Sequence, residues 1–154
     1  MGTRRRAREF ALQALYQADL AETSAVEALN GLWTGQMDGE GMDEEQKPAE
    51  GEEVAFAERL VSGVVDHTAE LDALIEDAST NWRLPRMPIV DRNILRLATF
   101  ELKHCEDIPP NVSINEAVEL AKRFGTADSK AFVNGIVDRV GRSLGRIDGK
   151  RRRR

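Results

Sequence analysis

The stretch PPNVSINEAVELAKRFG, residues 109–125, sets the reading of the fold. Pro109 and Pro110 end the element before them, because a prolyl ring lacks the N–H that a continuing helix needs and clashes with the preceding turn. Ser113 with Glu116 three residues on has the form of a capping box, each side chain answering a backbone N–H at a helix start. Gly125 then closes the helix. Working outward, IVDRNILRLATFELKHC (89–105) places Val90, Ile94, Leu95, Leu97, Ala98, Leu102 and Cys105 over more than half a helical circumference, the pattern of a central, largely buried helix. A last helix, about Asp128 to Leu144, buries Val133, Ile136, Val137, Val140 and Leu144.

Toward the N-terminus, Pro85 and Pro88 in NWRLPRMP interrupt the periodicity. Before them, from Glu53 to Ala78, apolar residues recur at helical spacing in one long helix or two in series. SAVEALNGLW (24–33) predicts a short helix that starts at a Ser24 cap and stops at Gly35. The first helix runs from a cap at Thr3 to about Glu22, with Ala7, Phe10, Ala11, Ala14, Leu15 and Ala18 on its buried face. No run of four residues alternates convincingly with period two. The expected fold is all-α: about seven helices in a compact bundle.

The 154 residues, 41% hydrophobic, suffice for one packed domain or two small subdomains sharing a core. Uncharged apolar runs fall far short of the roughly 20 residues that span a bilayer, and no hydrophobic block follows the first arginines. A soluble, cytoplasmic protein is expected, with no membrane association. The single cysteine, Cys105, excludes an internal disulfide framework and any multi-cysteine metal site. Net charge is −5, but it is segregated: residues 4–8 carry +4, the tail RIDGKRRRR (146–154) carries +5, and the chain between them carries −14. Much of the negative charge lies in a glycine-punctuated loop at about 35–52, which reads as a solvated linker.

Catalysis finds little support. His67 and His104 sit at helix ends without a serine nucleophile, an HExxH or a glycine-rich phosphate loop. His104 and Cys105 are adjacent on a helix and so do not face one another. No catalytic residue, metal ligand or cofactor is expected. Two helical strips are more informative. Arg5, Arg8, Leu12 and Tyr16 line up on the first helix, and four arginines (Arg4, Arg5, Arg6, Arg8) crowd its positive pole, where the macrodipole disfavours cations. A cationic row leading to an aromatic ring suits single-stranded nucleic acid, although Leu12 and Tyr16 could equally pack beneath a second layer of helices. On the last helix, Asp128, Phe132, Gly135 and Arg139 form a second strip. A glycine there implies close approach of another surface or an internal helix crossing.

Three segments, RRRAREFALQALYQ (4–17), NVSINEAVELAKRFG (111–125) and DSKAFVNGIVDR (128–139), together resemble the signature segments of the NusB family of bacterial transcription antitermination factors. The resemblance runs from about Arg4 to Leu144. It implies two small helical subdomains within one RNA-binding domain spanning 1–154, and no enzymatic activity. Its implied ligand is boxA RNA of ribosomal RNA leader transcripts, bound with ribosomal protein NusE in the RNA polymerase antitermination complex, with a homodimer as a further possible state. Carried onto this chain, the RNA surface falls on Arg4, Arg5, Arg6, Arg8 and Tyr16, and on Asp128, Lys130, Phe132 and Asn134, the two strips then being halves of one site. The long acidic loop and the KRRRR end match no family feature. Two other readings compete: a protein-interaction scaffold, and an accessory domain of an RNA cytosine methyltransferase. The latter would require a cofactor-binding domain with a glycine-rich turn beyond Arg154.

Overall fold

The computed structural model describes residues 3–35 and 51–147. Seven α-helices follow in order: α1 Thr3–Ala21, α2 Ala25–Gly35, α3 Gly51–Asp66, α4 Thr68–Ala78, α5 Ile89–His104, α6 Pro110–Phe124 and α7 Ser129–Ser143, with a 3-10 turn at Leu84–Arg86 before α5. No strand occurs among the described residues. The fold class is all-α, as the apolar periodicity indicates. The chain divides into two compact units, Met1–Val65 and Asp66–Arg154. Most of the acidic loop and the end of the basic tail, residues 36–50 and 148–154, lie outside the described residues.

In the first unit α1 packs on α2. Ser24 caps α2 by accepting the Glu27 N–H at 3.3 Å. Phe10 meets Trp33 edge-on, ring centres 5.0 Å apart. Ala7, Ala11, Ala14 and Leu15 of α1, Leu29 of α2, and Phe56, Ala57, Leu60 and Val61 of α3 are buried. The span from residue 51 to 78 is two helices, broken at His67.

In the second unit α5 packs against α4, α6 and α7. Its wide apolar stripe predicted a central position, and Ile94, Leu95, Leu97, Ala98 and Leu102 are all buried. Two of the polar side chains buried on the same helix, Glu101 and Asn93, are hydrogen-bonded, as buried polar groups generally are. Ser113 Oγ donates to Glu101 Oε1 at 2.7 Å, and Asn93 Nδ2 donates to the Ile89 carbonyl at 3.0 Å. Arg96 clasps both oxygens of Asp72 at 2.8 and 3.1 Å, tying α5 to α4.

Three sequence expectations change. The capping box does not form: α6 starts at Pro110, with Pro109 at its cap and no side-chain cap bond. Proline suits a first helical position because its missing N–H has no partner there anyway. Ser113 is thereby drawn inside the helix, where it serves Glu101. Arg146, counted with the basic tail, is used internally: its guanidinium donates to the Leu102 and Ile108 carbonyls, at 2.5 and 3.0 Å. Gly145, at φ +73, makes the reversal that aims it there. Leu144, expected in the core, is only half-buried.

Candidate nucleic-acid interface

α1 has no acid in its first turn, so its arginines reinforce the positive pole of the helix dipole. Part of that charge is answered inside the first unit. Arg6 Nη1 lies 3.5 Å from Glu53 Oε1, at the start of α3, and its guanidinium sits 5.2 Å from the centre of the Phe10 ring. Arg4 and Arg8 both rest on the Phe56 ring, at 4.5 and 5.3 Å. Such cation–π contacts contribute about 0.5–1 kcal/mol at exposed sites and more when desolvated. Nε and Nη2 of Arg6 are buried with no hydrogen-bond partner among the described residues.

The strip Arg5–Arg8–Leu12–Tyr16 is not exposed along its length. Arg8 and Leu12 are each only 4% exposed. The buried arc of α1 is wider than its alanines suggest, taking in Ala7, Arg8, Ala11, Leu12, Ala14 and Leu15. Arg4 and Arg5 are exposed, and Arg6 and Tyr16 are half-buried. The outward surface is therefore two arginines at the helix start with Tyr16 further along.

On the second unit Asp128, Lys130 and Asn134 are exposed and Phe132 is half-buried. Phe132 meets Trp82 edge-on at 6.2 Å between ring centres, and Trp82 is 49% exposed. An open cavity beside the two rings is bordered by Ser79, Asn81, Gly135 and Arg139. A Cβ on Gly135 would meet only Arg139 Nη2, at 3.7 Å. Gly135 therefore marks neither a helix crossing nor a close approach among the described residues.

A hydroxyl relay fixes the start of α7. The Thr126 N–H donates to Ser129 Oγ at 2.9 Å, and that hydroxyl donates to Asp91 Oδ1 at 2.7 Å. Burial raises the Asp91 carboxyl above its usual range, and the Ser129 hydroxyl works against that rise. Gly125 is required by the same crowding: a Cβ there would lie 2.4 Å from Ser129 Oγ and 2.8 Å from the Ala121 carbonyl. Its φ of −92 is ordinary, so steric room, and not a left-handed turn, accounts for the glycine. The sequence marks Phe56 only as part of the apolar face between Glu53 and Ala78, and gives no role to Asp91, Ser129 and Trp82. The threonine three residues before Ser129 was the one local signal, since hydroxyl side chains close such turns.

All-helical architecture with a cationic helix start, and with rings and amides on a second helix, defines a class: helical proteins whose surface chemistry suits phosphates and bases. The chain belongs to the NusB family, whose model it matches over residues 5–142. It is 52% identical to the transcription antitermination protein NusB of Myxococcus xanthus (strain DK1622), over 94% of this chain and 98% of that protein. Among solved structures it resembles T. maritima NusB, with a TM-score of 0.77, 36% identity and 90% of each chain covered. It also resembles a chain in the complex of antitermination factors NusB and NusE with dsRNA, with a TM-score of 0.76, 25% identity, and 93% of this chain and 98% of that one covered. These relatives carry the names of transcription factors and not of enzymes. No helix among the described residues is long and apolar enough to cross a membrane.

Proposed function

We propose that this chain is an RNA-binding transcription antitermination factor acting in the cytoplasm, its residues 1–154 serving as one RNA-binding domain. Its ligand is boxA RNA of ribosomal RNA leader transcripts, which it binds together with ribosomal protein NusE inside the RNA polymerase antitermination complex. The observation that carries this reading is the exposure of Arg4 and Arg5 at the positive pole of α1, a helix whose first turn holds no acid. Phosphate is the anion that this arrangement suits, since guanidinium–phosphate contacts are charge-assisted and often bidentate. Tyr16 on the first unit, and Phe132 with Lys130, Asn134 and Asp128 on the second, supply the rings and polar groups that read unpaired bases. Arg6 and Arg8 support the surface from beneath through Glu53, Phe10 and Phe56. The NusB–NusE complex with dsRNA supports the choice of partner.

Binding is tested by titrating boxA RNA and a scrambled RNA of equal length into the protein, with and without NusE. The expected result is preference for boxA and tighter binding with NusE present. Equal, weak binding of both RNAs would reduce the function to nonspecific electrostatics, and no RNA binding beside firm NusE binding would make the chain a protein scaffold.

A further inference from the structure

His67, Glu70 and His104 were given no role by the sequence, and their local motif is plain: His67 precedes α4, Glu70 lies in its first turn, and His104 ends α5. All three belong to the second unit. The packing of α4 on α5 brings them together. His104 Nε2 lies 2.6 Å from Glu70 Oε1, and the two imidazoles lie 4.1 Å apart between ring centres, inclined at 33°. One ligand atom from each of the three falls within 4.8 Å of the other two. Phe100 walls the group on one side, 6.1 Å from the His67 ring and 5.5 Å from that of His104.

We propose that these three side chains form a binding site for a divalent transition metal, with zinc as the representative ion. Two imidazole nitrogens and one carboxylate oxygen are the donor set that zinc accepts, with water completing a tetrahedron. Zinc–ligand bonds of about 2.0–2.2 Å place neighbouring ligand atoms roughly 3.4 Å apart. The ligand atoms, within 4.8 Å of one another, would close to that spacing by side-chain rotation and release of the His104–Glu70 hydrogen bond. Both partners have room to move, with side chains 28% and 42% exposed. Nitrogen donors exclude a magnesium preference, since that ion demands an octahedron of oxygens. Cys105 follows His104 but is buried and belongs to the core, so it is not a ligand.

The test uses the full chain. Cobalt(II) added as a spectroscopic stand-in gives one equivalent of tetrahedral d–d absorption, without a thiolate charge-transfer band, and zinc displaces it. Glu70→Gln and His104→Gln each weaken zinc binding at least tenfold by competition titration, with helicity unchanged by circular dichroism. Should His104→Gln fold poorly, Glu70→Gln decides, because its side chain is the more exposed of the two. The proposal is overturned by any of three results: no stoichiometric cobalt spectrum, zinc affinity that survives both substitutions, or displacement of zinc by equimolar magnesium, which would place the ion on acidic side chains elsewhere.

Discussion

The α1 strip and the α7 strip are held in place by different forces. On α1 the guanidinium groups of Arg4, Arg6 and Arg8 rest on the rings of Phe56 and Phe10 and on Glu53. Contacts of that kind depend less on direction than hydrogen bonds do, and the Arg6–Glu53 pair, with side chains 20% and 14% exposed, is screened by salt less than a solvent-exposed pair. On α7, Lys130, Phe132 and Asn134 ride on a backbone whose start is fixed by the Thr126–Ser129–Asp91 relay and by the absence of a Cβ at Gly125. That arrangement rests on short, directional bonds and tight steric fit, the stiffer kind of support. Charge is thus concentrated at the start of α1 in the first unit, while the start of α7 in the second is fixed by hydrogen bonds and steric fit.

The largest effect is expected from breaking the stiff side. Gly125→Ala drives a methyl group into the Ser129 side chain and, less avoidably, toward the Ala121 carbonyl. It should destabilise the protein by about 3 kcal/mol, at the upper end for overpacking, read as a fall in the denaturant midpoint. Ser129→Ala leaves the Thr126 N–H and the Asp91 carboxylate each short of a partner, a loss of roughly 1–3 kcal/mol. If either variant unfolds at the wild-type midpoint, the relay does not fix α7. Phe132→Ala should weaken RNA binding by roughly 1–3 kcal/mol through lost stacking. Its stability should fall by about 1–3 kcal/mol, from the lost contact with Trp82 and the lost burial of a half-buried ring. Collapse of the fold without a separate RNA defect would assign Phe132 to packing.

The smallest effect is a pH slope. Because burial raises the folded-state carboxyl of Asp91 above its ordinary value of 3.8, the folded state holds that proton more tightly than the unfolded chain. The contribution of Asp91 to stability is therefore greatest below pH about 4 and declines as pH rises through the raised value. Asp91→Asn should remove that decline from the stability profile, and Ser129→Ala should raise the Asp91 carboxyl further, measurable by NMR titration. A carboxyl that titrates at or below 3.8 in the wild-type protein would contradict the burial argument.

Periodicity carried most of the fold, because each helix buries an apolar face whose spacing is local information. α5 illustrates this, its wide stripe predicting the central position it occupies. What stayed illegible depends on partners distant in sequence. Arg8 reads as a solvent residue because arginine is seldom fully buried, and nothing near it announces Phe56. Ser113 reads as a cap until Pro110 is seen to start the helix, leaving Glu101 as its partner. The helical spacing lays out both strips, but the supports that distinguish an exposed arginine from a buried one are not local to either.

The most direct test of the central claim is the salt dependence of boxA RNA binding for the wild-type chain and for the double variant Arg4→Gln, Arg5→Gln. Each phosphate contact to a single strand contributes about 0.7 to the slope of log affinity against log salt, so losing two should flatten it by about 1.4. Affinity should fall at low salt while the melting temperature falls only by what the lost Arg4–Phe56 contact contributes. Arg8→Gln, at a buried position, should do the reverse, lowering the melting temperature with little change of slope. Unchanged affinity and slope in the double variant would contradict the account, because the exposed start of α1 would then not be where RNA phosphates bind.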